Sequence, residues 1–390
     1  MPVKVCVATS TRADYGVLSP LLRRLRDDPF FELTIAATGT HLLDAFGHTV
    51  DDIVADGYEP KRISIMEGEL QAPTATSDIM ALALTRFARF FAERHFDLLI
   101  VLGDRFEMEA ICCAAVNTRL PIAHLHGGET TQGAIDECYR HAITKMSLLH
   151  FPCCELYRQR ILQLGEQPER VFNVGALGVE NLLRVPDYPM ERLSEELRLP
   201  LADKPYAVVT FHPVTQESGT ALTQLHALMD AMDARDDLLY VVTKSNADEG
   251  GAQINHAWDE YGATRGSCAV VASLGMRRYL TALRGCAMAL GNSSSGILEA
   301  PIARVPTVNI GERQKGRMRT GSIVDCAPET STILEAMTHA QSESMRRTIE
   351  AQVCPYGDGH TSEQITAILR QRCGTPLNVK KEFYDMGASQ

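Results

Sequence analysis

Carboxylates, imidazoles and guanidinium groups in this chain gather in short polar runs, each following a stretch of apolar residues. Thr9-Ser10-Thr11-Arg12-Ala13-Asp14-Tyr15-Gly16 follows residues 3–8, Gly103-Asp104-Arg105 follows 97–102, and His126-Gly127-Gly128-Glu129 follows 121–125. Further on, His212-Pro213 follows 206–211, Gly291-Asn292-Ser293-Ser294-Ser295-Gly296 follows 287–290, and Gly311-Glu312-Arg313 follows 305–310. Two kinds of chemistry are open to such a set. Asp104, Glu129, Asp136, Glu137, His126 and His212 could exchange protons with a substrate, as general acids and bases do. The Gly/Ser-rich run 291–296 could cradle a phosphate at a helix N-terminus. A plain serine N-cap explains the same serines. Arg12, Arg105 and Arg313 could add the forked donors that phosphate oxygens prefer.

Other chemistries fit less well. Glu137 and His141 are four apart on an expected helix and face the same way. With His124 and His126 on one strand they could imitate a metal site. The spacing is not H-E-x-x-H, however, and His124 better suits a strand residue pointing into packing. Asp104 could instead cap a helix or pair with Arg105. No GxxxxGK[ST] run stands at a strand–helix junction and no G-x-G-x-x-G follows the first strand, which argues against a P-loop nucleotidase and an NAD enzyme. The 11 cysteines contain no C-x-x-C; 112–113 and 153–154 are adjacent pairs and the rest are single. That pattern reads as reduced thiols of a cytoplasmic protein.

The elements needed to hold these runs are legible from periodicity. Residues 3–8, Phe31–Ala37, 97–102, 121–125 and 172–174 read as strands, and 18–26, 79–94 and 135–149 as helices. Prolines 186, 189 and 200 and a rise in charge mark a linker around 185–205 flanking a polar helix. The rhythm then restarts with strands at 206–211, 238–243, 287–290 and 305–310 and helices at 223–233, 277–283 and from 295. Apolar rather than alternating strands, separated by helices, imply parallel sheets covered on both faces. The expected fold class is α/β, two doubly wound Rossmann-like domains with a cleft between them. The expected boundaries are 1–184, 185–365 with the Gly/Ser-rich run 291–296, and a tail 366–390 that packs back on the N-terminal domain.

Lys and Arg number 38 against 49 Asp and Glu, a net charge of −11. No broadly basic face for nucleic acid or an anionic membrane is expected, so an anionic ligand must be caught by a local arginine cluster. No apolar run reaches the roughly 18 residues of a membrane span, and the N-terminus lacks a secretory leader pattern.

The ordered motifs TRADYG (11–16), GDRFE (103–107), HGGE (126–129), DExxRHAITK (136–145), HPVT (212–215), GNSSSGxxE (291–299) and NIGxRQxGR (309–317) resemble those of the hydrolysing UDP-N-acetylglucosamine 2-epimerases. The resemblance is to the bacterial sialic-acid-pathway branch and extends from about residue 3 to 370. It implies a glycosyltransferase-B-like fold, no further sugar kinase domain, no cofactor and no obligate metal. It also implies a homo-oligomer, dimeric or tetrameric. The implied reaction converts a UDP-sugar and water to UDP and the C2-inverted free sugar through a 2-acetamidoglucal. By motif, Asp104 matches a catalytic acid/base, Glu137 with Asp136 the helix carboxylates, and His212 the histidine near the diphosphate. Arg12, Arg105, Ser293, Ser294 and Gly296 match the diphosphate positions. Glu299 matches the ribose ligand, and Glu129 and Arg313 match substrate-side positions. Where many relatives carry Glu-Gly-Gly-Glu, this chain has His126-Gly127-Gly128-Glu129, which leaves the C2 base open. UDP-N-acetylglucosamine is the first substrate reading. UDP-N,N'-diacetylbacillosamine, on the legionaminic acid route, differs only at atoms remote from C1 and C2. A glycosyltransferase or a non-catalytic nucleotide-sugar sensor of the same fold are the rival classes; neither needs the carboxylates.

Overall fold

The computed structural model describes residues 1–67, 72, 74–132, 134–214, 219–245, 250–375 and 377–387. Its chain forms two compact units. The first comprises Met1–Glu129, Asp136–Asn181 and Pro355–Gln390, and the second Thr130–Ile135 and Leu182–Cys354.

In chain order the first stretch runs β1 (Val3–Thr9), α1 (Arg12–Asp27), β2 (Phe31–Ala37), α2 (Val50–Ala55), β3 (Lys61–Arg62), α3 (Ala75–Glu93), β4 (Leu98–Leu102) and α4 (Phe106–Asn117). It continues with β5 (Ile122–Leu125), α5 (Asp136–Met146), β6 (Leu149–Phe151), α6 (Glu155–Gln163) and α7 (Leu177–Arg184). The second stretch has α8 (Met190–Leu197), β7 (Tyr206–Thr210), α9 (Ala221–Asp233), β8 (Leu239–Thr243), α10 (Gly251–Ala263), β9 (Cys268–Val271) and α11 (Gly275–Gly285). After it come β10 (Met288–Gly291), α12 (Ser295–Leu298), β11 (Thr307–Ile310), β12 (Ile323–Cys326), α13 (Thr330–Ala340), α14 (Glu343–Ala351) and α15 (Thr361–Cys373). The first sheet has the order β3-β2-β1-β4-β5-β6 and the second β12-β11-β10-β7-β8-β9, all parallel.

Continuous apolar strands follow from burial on both faces. Val5 and Val7 of β1 and Leu98 and Ile100 of β4 enter one core with α1, while Cys6, Ala8, Leu99 and Val101 enter another with α3 and α4. The second sheet repeats this: Ala207 and Val209 go to one side, Tyr206 and Val208 to the other. With a side-chain period of two, successive positions of these central strands are therefore mostly apolar.

Several boundaries differ from expectation. Helix α1 starts at Arg12, not at 18, because Thr11 caps it: Asp14 N–H donates to Thr11 Oγ1, and Thr11 N–H to Asp14 Oδ1 at 2.7 Å. The expected helix 135–149 ends at Met146, and β6 begins at Leu149. Residues 172–174 form no strand; the neighbouring Val171 makes only an isolated bridge to His150. Strands β3 and β6, with 2 and 3 residues, lack a long enough pattern to be read, and β9 and β12 are not anticipated either. The chain leaves the first unit after Asn181 and returns at Pro355, so position 365 lies inside α15. Ile365 and Leu369 of that helix complete the first core beside Val174 and Leu177. Ser362 donates its N–H and hydroxyl to buried Glu180, both at 2.7 Å.

A buried carboxylate fixes the C-terminal end of α5. Glu166, 1% exposed, meets His150 at 3.0 Å and Lys145 and Lys381 at 2.6 Å each. Lys381 also donates to the Lys145 and Ser147 carbonyls. Burial works to raise the Glu166 carboxyl, but hydrogen bonds from His150, Lys145 and Lys381 outweigh it and hold it down at about 2. Burial pulls His124 down to about 3. Both values lie below those of the unfolded chain, so the unfolded state binds more protons in acid and stability falls with pH. The loss is expected to begin below about pH 6.5 through His124 and to deepen below about 4.3 through Glu166. Glu166→Gln, which leaves Lys145 and Lys381 beside a neutral amide but still bonded to backbone carbonyls, should cost about 2–3 kcal/mol at neutral pH and remove the lower step from the curve of melting temperature against pH. A variant as stable as the wild type would contradict this role.

Candidate active site

A doubly wound sheet opens a crevice where the strand order reverses, outside the carboxyl ends of its strands. In the first sheet that point lies between β1 and β4, and in the second between β7 and β10. The loops leaving these strands carry Arg12, Asp104, Arg105, His212, Ser293 and Ser294. These six residues therefore follow the strands that flank the two switch points, whereas His126 and Glu129 follow β5, Asp136 and Glu137 open α5, and Arg313 follows β11.

In the first unit two of the acid/base candidates, Asp104 and Glu137, meet on Arg140, to which the sequence reading gave no role. Arg140, 1% exposed, donates through Nη2 to Asp104 Oδ2 and through Nη1 to Glu137 Oε2 at 2.6 Å. Nη1 also reaches the Glu129 carbonyl at 3.2 Å. Burial works against the guanidinium charge, but the Asp104, Glu129 and Glu137 carboxylates more than offset it, so Arg140 stays cationic. Helical spacing explains the Glu137 contact, since residues three apart share a face. The Asp104 contact is tertiary and joins the end of β4 to α5. His141 Nε2 lies 3.1 Å from the other Glu137 oxygen. His126 Nδ1 lies 3.4 Å from Glu129 Oε1. Asp136 is half-buried in the first turn of α5.

His124 does point into packing. Its Nε2 lies 2.7 Å from the Gly103 carbonyl, which can only accept, so Nε2 carries the proton. Neutral and buried, it steadies the turn that presents Asp104. The four-residue metal arrangement of His124, His126, Glu137 and His141 does not assemble among the described residues. Arg12 is exposed at the start of α1 and pairs with Asp52 at 3.3 Å. Arg105 grips buried Glu107 through Nε and Nη2, both at 3.1 Å.

In the second unit three loops meet on Asn292. Its Oδ1 accepts from the His212 N–H at 2.7 Å and its Nδ2 donates to the His212 carbonyl at 2.8 Å. Its own carbonyl accepts from Arg313 Nη1 at 3.3 Å and Gln314 Nε2 at 2.9 Å. The His212 ring is oriented by Ser245 Oγ, 3.0 Å from Nδ1. Gly291 has φ +126, and a Cβ there would lie 2.1 Å from the Thr210 carbonyl oxygen, so only glycine lets β10 end against β7. At Gly296 a Cβ would lie 2.7 Å from Thr307 Cγ2, and this glycine serves close packing of α12 on β11. Helix α12 has only 4 residues, so the expected helix-terminus field reduces to local N–H groups and hydroxyls. Ser293, Ser294 and Glu299 are half-buried around it. Thr215 of the HPVT run lies outside the described residues.

Sequence reasoning included Arg140, Asn292 and Gln314 in its motifs but gave none of them a role of its own. The capping box at Thr11 had a readable signal in its T-x-x-D spacing. The contact of Asn292 with His212 had none, because the two lie 80 positions apart.

A family model described as UDP-N-acetylglucosamine 2-epimerase matches residues 23–370. The chain is 33% identical over 384 residues to the polysialic acid biosynthesis protein P7 of Escherichia coli, covering 98% of this chain and 97% of that one. It is 34% identical over 345 residues to the hydrolysing GDP/UDP-N,N'-diacetylbacillosamine 2-epimerase of Campylobacter jejuni, covering 88% and 89%. Among solved structures, the UDP-N-acetylglucosamine 2-epimerase of Neisseria meningitidis bound to UDP-GlcNAc superposes with a TM-score of 0.80 at 14% identity, covering 95% of this chain and all of that one. That likeness shows the same two-domain, glycosyltransferase-B-like α/β fold.

Proposed function

The chain belongs to the UDP-N-acetylglucosamine 2-epimerase family, and we propose that it is a hydrolysing UDP-sugar 2-epimerase acting on UDP-N-acetylglucosamine for nonulosonic acid synthesis. The observation that carries the proposal is the pair of carboxylates, Asp104 and Glu137, held by one buried Arg140 at the edge of the first sheet. Transfer of a glycosyl group needs no proton chemistry at C2, whereas 2-epimerisation needs a base and an acid there.

In the proposed reaction a base takes the C2 proton while the C1–O bond to UDP breaks, giving a C1=C2 double bond. Water then adds its hydroxyl to C1, and a proton returns to C2 from the other face. Asp104 and Glu137 exchange these protons, with Asp136 and His126 beside them. Glu129 orients His126 and the sugar. The departing diphosphate is met by Arg12, Arg105, Arg313, Ser293, Ser294 and the backbone up to Gly296, with His212 at the oxygen leaving C1. Glu299 holds the ribose hydroxyls.

A second reading, UDP-N,N'-diacetylbacillosamine, is favoured by relatives in Campylobacter jejuni and, at 32% identity over 367 residues, Legionella pneumophila, both named for that sugar. The reading extends to a cytoplasmic homo-oligomer. All eleven cysteines are free thiols, which suits a reducing compartment. Among the described residues no helix is long and apolar enough to cross a membrane.

Incubation with each UDP-sugar in D₂O tests the proposal. Release of UDP together with the C2-inverted sugar carrying deuterium at C2 is expected. UDP release without exchange at C2 would sink it, and the faster substrate decides the sugar. Arg12→Ala should weaken UDP binding about tenfold, since one charge-assisted contact contributes about 1.5–3 kcal/mol at most. Unchanged affinity by calorimetry would remove Arg12 from the diphosphate site.

A further inference from the structure

Two side chains of the first unit converge on one carboxylate oxygen of a third. Glu129 Oε1 lies 3.4 Å from His126 Nδ1 and 3.5 Å from Cys153 Sγ, and the three ligand-capable atoms lie within 4.8 Å of one another. His126 and Glu129 follow β5 and Cys153 follows β6, so the parallel pairing of these strands brings them together. The side chains of His126 and Glu129 are 13% and 3% exposed, and Cys153 is fully buried.

Two further features suit a ligand. His126 sits at φ +64, a left-handed conformation that costs a residue with a Cβ about 1 kcal/mol. Its N–H is pinned to the Phe151 carbonyl at 3.0 Å, so the imidazole is held in place despite that strain. His126 Nε2 has no hydrogen-bond partner among the described residues. A metal at Nδ1 would leave the ring proton on Nε2 and take the lone pair of the nitrogen that faces Glu129.

The spacing matches a metal. A tetrahedral zinc ion with bonds of roughly 2.0–2.3 Å separates its donors by about 3.3–3.7 Å. Both short edges of the triangle fall in that range, and rotation about the Cα–Cβ bond of Cys153 can close the third. A thiolate and a carboxylate together neutralise a dication, and the imidazole adds a neutral donor. A sulfur ligand selects zinc over magnesium or calcium. Three protein donors leave a fourth position open, unlike the closed sites that stabilise folds.

We propose that His126, Glu129 and Cys153 form a Zn²⁺ site whose occupation switches the enzyme off. On binding, Cys153 releases its thiol proton to solvent, Sγ, Nδ1 and Oε1 bond to the ion, and water takes the fourth position. Zinc then holds His126 and Glu129 away from the sugar. The switching rests on the proposed function, because those two residues belong to its substrate set; the binding does not.

The test uses Co²⁺ alone as a probe on the full chain after chelation. One equivalent should give intense visible bands of a tetrahedral site and a near-ultraviolet thiolate-to-cobalt band, all abolished by Zn²⁺. Cys153→Ser, nearly isosteric, should lose the near-ultraviolet band and bind at least about tenfold more weakly. Weak six-coordinate bands, or a thiolate band that persists in Cys153→Ser, would overturn the site. In the activity arm, Zn²⁺ at saturating concentration should inhibit the wild type reversibly, with EDTA restoring turnover. Cys153→Ser should keep its activity at that concentration, and equal inhibition of both proteins would overturn the switch. Cobalt binding as described in a chain that turns over no UDP-sugar would leave the site standing and remove the functional reading instead.

Discussion

Asp104→Asn is expected to lower kcat about 10²-fold or more while leaving UDP affinity nearly unchanged. The substitution keeps the shape of the side chain and its capacity to accept from Arg140, so the local fold should survive. It removes the ability to take and return a proton. Asp104 follows Gly103, whose carbonyl is held by neutral His124 at 2.7 Å, and nothing in that support depends on the carboxylate. The diphosphate is assigned to other residues, so calorimetric UDP binding should not change. Steady-state UDP release, compared with binding, checks both halves. Turnover equal to the wild type would take Asp104 out of the mechanism.

Arg140→Met is expected to have the largest combined effect, lowering turnover by about 10²–10³-fold and stability by about 3–5 kcal/mol. Arg140 is 1% exposed and faces Asp104 and Glu137, so its removal leaves two carboxylates close together without their cation. It also strips a donor from the Glu129 carbonyl. Arg140→Lys keeps the charge but not the fork that reaches both carboxylates, and should recover stability better than turnover. Urea unfolding and kcat measured on the same preparations separate the two. The Asp104→Asn/Arg140→Met double variant should lose less than the sum of the single losses, because the two residues act as one unit. Additive losses would show that they act independently.

Much of the fold was legible because a strand covered on both faces must be apolar at every position, and such runs stand out from the helices between them. The polar residues at the strand ends were legible for the same reason, being the first points where the chain leaves the core. Lengths were less readable where a pattern was too short, as in the two residues of β3, or where a helix began in polar residues, as α1 does at Thr11-Arg12.

By itself the sequence determined that Asp104, His126, His212 and Ser293 follow the carboxyl ends of apolar strands and that Glu137 opens a helix, since period and chain direction settle which end of each element they occupy. Only the tertiary structure decided which of them act together. Arg140 reaches Asp104 across 36 positions, Asn292 holds His212 across 80, and Cys153 meets Glu129 across 24. Each contact depends on which strands are neighbours and in what register. A local pattern cannot carry that information, because strand order is set by the packing of whole helices and sheets.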